Sequence, residues 1–186
     1  MTDVKIDIYF DGACRNVKGS TTEPFGVGVA VFIDEQYSDV YSKAIWGAEG
    51  TSNIAEWTGC VHACELADFL HGLVSGKYGP GEDIGNPIVT IYTDSQLIAN
   101  QFNGEYEIRR EEFKYYYNVS KERTAKFDKY LNLTWIPREK NWVADELSKR
   151  ALAKNYSTKG ANTPHIKSPR YRGDRFVGLE KPNIVT

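Results

Sequence analysis

Two stretches place a carboxylate where a buried strand is otherwise expected. IYFDGACRN, residues 8–16, carries Asp11, and IYTDSQL, residues 91–97, repeats the arrangement at Asp94. An ionised carboxylate at such a place costs free energy unless something pairs with it. Two further acids, Glu56 and Asp145, fall in the first turns of expected helices. Each has an ordinary explanation. Asp11-Gly12 is a hairpin-turn dipeptide, although the next expected strand starts about fourteen residues later. Asp94 suits the cap of a following helix. Asn53 and Glu56 have the spacing of a capping box, and Asp145 sits where a helix macrodipole favours an acid. Jointly, the four could converge on one cleft edge, where mutual repulsion would raise some of their pKa values. Such a cluster is tolerated when it holds hard divalent cations, which prefer oxygen ligands. Two Mg²⁺ about 4 Å apart would stabilise both the attacking and the leaving oxygen of a phosphodiester displacement. Asp11 is then expected to be buried because a metal is its partner.

Elements able to position these acids are legible along the chain. Alternation and β-branched or aromatic content mark strands near 5–12, 26–34 and 40–48, with GSTTEPFG (19–26) expected as a loop. Trp57, Cys60, Val61, Cys64, Ala67 and Leu70 then recur at helical spacing to about Val74. A fourth strand is expected over 88–94 and a short helix over 95–102, stopping near Asn103-Gly104. A long helix over 110–131, a fifth strand over 132–138 and a last helix over 141–155 follow. This order suits an α/β fold: a five-stranded mixed sheet, antiparallel meander plus parallel strands, flanked by helices. In such sheets chemistry gathers at the carboxyl ends of adjacent strands, and Asp11 and Asp94 lie at or near such ends.

The chain has 186 residues, enough for one domain with a sizeable core. Its net charge of −2 conceals an asymmetry. Residues 156–186 hold six Lys/Arg against Asp174 and Glu180, a surplus of +4, which leaves −6 on the rest. The expected organisation is a domain over 1–155 and a basic, Pro- and Gly-containing tail over 156–186. The N-terminal residues lack a basic segment followed by an apolar one, so no signal peptide is expected. No apolar run is long enough to span a bilayer. Three cysteines without framework spacing suit a reducing compartment, so a cytoplasmic protein is expected.

The set YFDGA, SNIAEW, YTDSQ and WIPREKNWVADELS, in this order, resembles type 1 ribonuclease H over roughly residues 5–155. The resemblance implies a ribonuclease H-like fold. It also implies an endonuclease that cuts the RNA strand of an RNA:DNA hybrid with two metal ions, leaving 3′-hydroxyl and 5′-phosphate ends. By motif, Asp11, Glu56, Asp94 and Asp145 would be the catalytic, metal-binding carboxylates, with Mg²⁺ as the ion and Mn²⁺ able to substitute. Asn53 and Gln96 match positions that read the hybrid through the minor groove, and Thr51 a residue that holds a DNA-strand phosphate. Cys14 and Asn16 fall in the stretch that touches 2′-hydroxyls, the group that separates RNA from DNA.

Two departures from the family pattern stand out. Many members carry a mobile His before the last Asp; PREKN has none, so its role is vacant or passes to Arg138 or Glu139. Many also insert a basic helix as a handle for the hybrid, and here LIANQFNG leads through EYEIR directly into the long helix. The basic tail either supplies phosphate contacts in its place or wraps the body through Tyr171, Phe176, Val177 and Leu179; the sequence leaves both open. Cys60, His62 and Cys64 cannot share one zinc ion from a single helix, because His62 points about 200° from Cys60; the two cysteines are expected in the core. Tyr115, Tyr116 and Tyr117 are expected as a partly buried helix face. Two rival functions are a DNA-acting nuclease or recombinase on the same fold, and a non-catalytic nucleic-acid-binding module.

Overall fold

A computed structural model of the chain describes residues 3–15, 23–76, 86–127, 131–157, 171–172 and 175–176. Its elements are β1 (Asp3–Cys14), β2 (Glu23–Ile33), β3 (Gln36–Gly50), α1 (Ser52–Val74), β4 (Asn86–Thr93), α2 (Gln96–Phe102), α3 (Glu111–Thr124), β5 (Leu131–Trp135), a 3₁₀ turn (Arg138–Lys140) and α4 (Trp142–Ser157). Two short strands, β6 (Tyr171–Arg172) and β7 (Arg175–Phe176), form a separate two-stranded sheet. Most of the basic tail, and Asn16, lie outside the described residues.

The five main strands form one mixed sheet in the order β3-β2-β1-β4-β5. β1–β2 and β2–β3 are antiparallel, and β1–β4 and β4–β5 are parallel, as the sequence led us to expect. β1 lies near the middle of the sheet and is covered on both faces. Its even positions, Ile6, Ile8 and Phe10, pack with α1 residues Trp57, Cys60, Cys64 and Leu70, together with Ile98, Phe113 and Phe127. Its odd positions face the other way. Tyr9 packs with Phe32, Ala144 and Leu147 under α4, so Asp11, two residues further on, points toward α4.

Several boundaries differ from the sequence reading. β2 begins at Glu23, so EPFG is strand rather than loop. Pro24 is accommodated because a register shift lies between Glu23 and Phe25 and the last β1 partner is Cys14, opposite Phe25. α1 is capped by Thr51, whose Oγ1 accepts from the Ile54 amide at 3.3 Å, so Asn53 and Glu56 do not form a capping box. α3 stops at Thr124 instead of running to 131. There the chain turns to bury Phe127 against the His71 ring, 4.6 Å between centroids. Cys60 and Cys64 are buried and free, as expected for core residues. Tyr116 and Tyr117 pack on the core, whereas Tyr115 is exposed.

Candidate active site

Parallel pairing sets Phe10 beside Thr93, so the next residues, Asp11 and Asp94, emerge level with each other, Asp94 just past the end of β4 and Asp11 where β1, continuing to Cys14 beside β2, leaves the β4 ladder. Two glycines let the helices that carry the other acids come close. A Cβ on Gly12 would lie 2.5 Å from the Glu56 nitrogen, so the first turns of α1 can press against β1 only with glycine there. Gly28 is paired with Asp11 across the β1–β2 ladder, and a Cβ on it would lie 2.0 Å from the Ala144 carbonyl oxygen. That absence of a side chain brings α4, and with it Asp145, down onto the sheet.

Each carboxylate is held in a definite orientation. Ser148 Oγ donates to Asp11 Oδ2 at 2.6 Å. Ser95 Oγ donates to Glu56 Oε2 at 2.5 Å. The same Ser95 oxygen accepts from the Ile98 amide, so Ser95 and not Asp94 caps α2. The ordinary explanations for Asp94 and Glu56 therefore both fail. Asn141 is fully buried, and its Nδ2 donates both to the Phe10 carbonyl and to Asp94 Oδ1, each at 2.8 Å. Trp135 Nε1 donates to the Asp94 carbonyl at 3.1 Å. Asp145, in the first turn of α4, accepts from Arg138 and Lys149.

Electrostatics link the four acids. Asp11 is 7% exposed, and burial, assisted by the charges of Asp94, Asp145 and Glu56, pushes its carboxyl up to about 7. The Ser148 hydrogen bond opposes that rise. Burial raises Glu56 as well, with Asp94 adding to the rise and Ser95 and Arg138 working against it. Among the described residues, no three His, Cys, Asp or Glu side chains stand as a shell able to close on one metal ion. Charges act over longer distances than ligand bonds, so the acids are electrostatic neighbours whose side chains would still have to turn inward to share an ion.

The substrate-contact candidates lie around this edge. Cys14 ends β1, with its thiol against the Gly50 and Pro24 carbonyl oxygens at 3.7 and 3.9 Å. Thr51 and Asn53 stand at the start of α1, and Gln96, exposed, at the start of α2. Arg138 is exposed in the 3₁₀ turn before α4.

Residues 83–151 match the family model described as Reverse transcriptase-like. Among solved structures, the chain is similar to LC11-RNase H1 isolated from compost, with 27% identity, TM-score 0.67, and 82% of this chain and 98% of that one covered. The same compost protein solved in complex with an RNA/DNA hybrid gives 26% identity and TM-score 0.64, over 81% of this chain and 99% of that one. RNase H1 from the halophilic archaeon Halobacterium salinarum NRC-1 gives 25% identity and TM-score 0.64, over 81% and 98% of the two chains. The chain is similar in sequence and fold to type 1 ribonuclease H proteins. A curated relative, the bifunctional protein Rv2228c of Mycobacterium tuberculosis, is 24% identical over 149 residues, or 80% of this chain. The chain spans 36% of that relative's length.

The sequence alone did not reveal the neutral residues that hold the acids: Ser95, Asn141 and Ser148. A signal was present, since Ser95 follows Asp94 directly and Asn141 and Ser148 lie four before and three after Asp145, within a turn of it. Asn141 has the most to lose. Asn141→Ala leaves the Phe10 carbonyl and a carboxylate oxygen without their donor, at about 1–3 kcal/mol for each group that stays buried. Thermal melts should show Tm falling by roughly 5–20 °C. An unchanged Tm would mean that water replaces the amide without cost.

Proposed function

We propose that this chain hydrolyses the RNA strand of RNA:DNA hybrids, using two divalent metal ions held by Asp11, Glu56, Asp94 and Asp145 and leaving 3′-hydroxyl and 5′-phosphate ends. Carrying this reading is the convergence of four carboxylates from four separate segments where β4 ends and β1 leaves its ladder. The set fits a divalent cation by its chemistry: every donor is a hard oxygen, and the buried Asp11 has a hydroxyl and three other acids as its influential neighbours. Bound there, Mg²⁺, or Mn²⁺ in its place, supplies charge stabilisation to the attacking and leaving oxygens. Ser148, Ser95 and Asn141 keep three of the carboxylates in fixed orientations, which lowers the reorganisation needed when ions and substrate arrive. Cys14, Asn16, Thr51, Asn53, Gln96 and Arg138 are proposed to contact the hybrid, in keeping with the hybrid complex of the compost relative. Among the described residues, no helix is long and apolar enough to cross a membrane. The three cysteines are free, which suits the cytoplasmic compartment we propose.

The test uses end-labelled RNA as a single strand, as an RNA duplex, and hybridised to DNA. With Mg²⁺, internal cutting is expected in the hybrid alone, and EDTA should stop it. Equal cutting of single-stranded RNA, or an intact hybrid, would sink the proposal. Cutting of a DNA-only duplex would instead support a DNA-acting nuclease.

A further inference from the structure

The four carboxylates are not held alike. Asp11, Glu56 and Asp94 accept from a hydroxyl, a hydroxyl and an amide, all neutral donors. Such donors orient a carboxylate and leave its negative charge in place. Asp145 differs, because both of its oxygens meet cations: the Arg138 guanidinium at 3.3 Å from Oδ1 and Lys149 Nζ at 2.5 Å from Oδ2. The two cations come from different places, Arg138 from the 3₁₀ turn before α4 and Lys149 from one turn further along α4. Asp145 is 16% exposed, whereas Arg138 is 74% and Lys149 45% exposed. The acid is thus fixed by its surroundings while both cations hang on solvated, flexible stems. Exposed pairs of this kind contribute little and break easily.

We propose that Arg138 and Lys149 are stand-in cations: they neutralise Asp145 until a divalent ion displaces them, and then take backbone phosphates of the nucleic acid beside the site. The inference rests on the proposed function and adds Lys149 to the residues that meet substrate. Each Asp145 oxygen keeps a second lone pair, but a divalent ion brought onto it meets the positive charge of Arg138 and Lys149, and that repulsion drives at least one of them away. Two positive charges leave and a doubly charged ion arrives, so the local charge around Asp145 is conserved through the exchange. The released side chains then stand at the rim of an otherwise acidic cluster, where a polyanion needs positive partners. Lys149 suits this exchange because its ammonium is a compact charge on a long stem, able to change partner by rotating its side chain.

Calorimetric titration of Mn²⁺ into the full chain without nucleic acid tests the first half of the exchange. Arg138→Gln and Lys149→Gln each remove a competitor, so the weaker of the Mn²⁺ binding steps should tighten by about 2- to 5-fold. Lys149→Arg, which keeps the charge, should bind Mn²⁺ as the wild type does. The second half is read from KM for a hybrid at several salt concentrations. Lys149→Gln should raise KM and flatten the plot of log KM against log salt by about 0.9, the share of one phosphate that no longer has a cation beside it. Lys149→Arg should restore both. Unchanged Mn²⁺ affinity in both Gln variants would reduce the pair to an ordinary helix-face contact and overturn the proposal. So would tighter Mn²⁺ binding with KM and salt slope unmoved. A wild type that binds no Mn²⁺ overturns the proposed function itself, and this inference with it, which separates the two failures.

Discussion

Asp94→Asn should lower metal-dependent cleavage of a hybrid by about 10³-fold or more, as expected for the loss of one ligand of a two-metal site, while raising the melting temperature in EDTA. Both effects come from removing one negative charge. Asp94 adds to the upward push on the Asp11 and Glu56 carboxyls, so the folded protein without metal carries a repulsion that the unfolded chain relieves. The substitution leaves the surrounding structure its partners. An Asn side-chain oxygen can still accept from Asn141 Nδ2, and the α2 cap is untouched because Ser95 provides it. Melts of both proteins in EDTA and in Mg²⁺ check this. Wild type should gain more from Mg²⁺ than the variant, because only ligands that bind the native state stabilise it. A variant that melts lower than wild type in EDTA would show that Asp94 serves the fold first.

The second large effect concerns pH. Burial and three acidic neighbours raise the Asp11 carboxyl from its ordinary 3.8 to about 7. The folded state therefore holds a proton that the unfolded chain has released across the interval between those values. Where the native state binds more protons, stability falls as pH rises. The metal-free protein should accordingly lose stability from about pH 4 to pH 7 and level off above that, and Glu56, raised in the same direction, adds to the slope. The Asp11 contribution is on the order of 4 kcal/mol at most. Saturating Mg²⁺ should reverse the slope, because metal binding requires deprotonated carboxylates and so strengthens as pH rises. Calorimetric scans at pH 5, 6, 7 and 8, with EDTA and with Mg²⁺, give the two slopes directly. Asp11→Asn should flatten the EDTA series. A metal-free stability that is level or rising from pH 5 to pH 7 would mean that Asp11 does not experience this burial and these neighbours.

Much of the sheet was legible because β1 and β4 state their burial locally. Ile6, Ile8 and Phe10 alternate with residues bound for the other face, and Val89 and Ile91 do the same in β4. The acids were legible for the opposite reason, being placed where burial made them expensive. Less visible were features that depend on a distant partner. Nothing near Gly12 or Gly28 announces that a helix backbone will press on it. The β2–β3 hairpin was expected, but its tight turn, with β3 starting at Gln36 rather than near 40, was not, because the turn residues Asp34 and Glu35 hold positive φ of 47° and 70° without glycine. Such a turn is ordinarily strained for these residue types. It is held in place by β1: Asp34 Oδ1 accepts from the Lys5 amide, and its own amide donates to the Lys5 carbonyl, both at 2.9 Å. The cap of α1 was misplaced because Asn53 and Glu56 have capping-box spacing, while the observed cap, Thr51, lies two residues earlier.

The parallel β1–β4 pairing also bears on how the chain folds. The tie from Ser148 to Asp11 spans 137 residues of sequence, and that from Asn141 to Phe10 spans 131. Closing loops of that size is entropically slow and depends on most of the sheet already being in register. The β2–β3 hairpin and the long α1 can form from neighbouring residues well before then. The acidic cluster is consequently assembled at the end of folding, after the barrier that sets the folding rate, and its repulsion falls mainly on the rate of unfolding. Metal bound there acts as a late latch: it leaves the speed of folding nearly as it was and lengthens the lifetime of the folded chain.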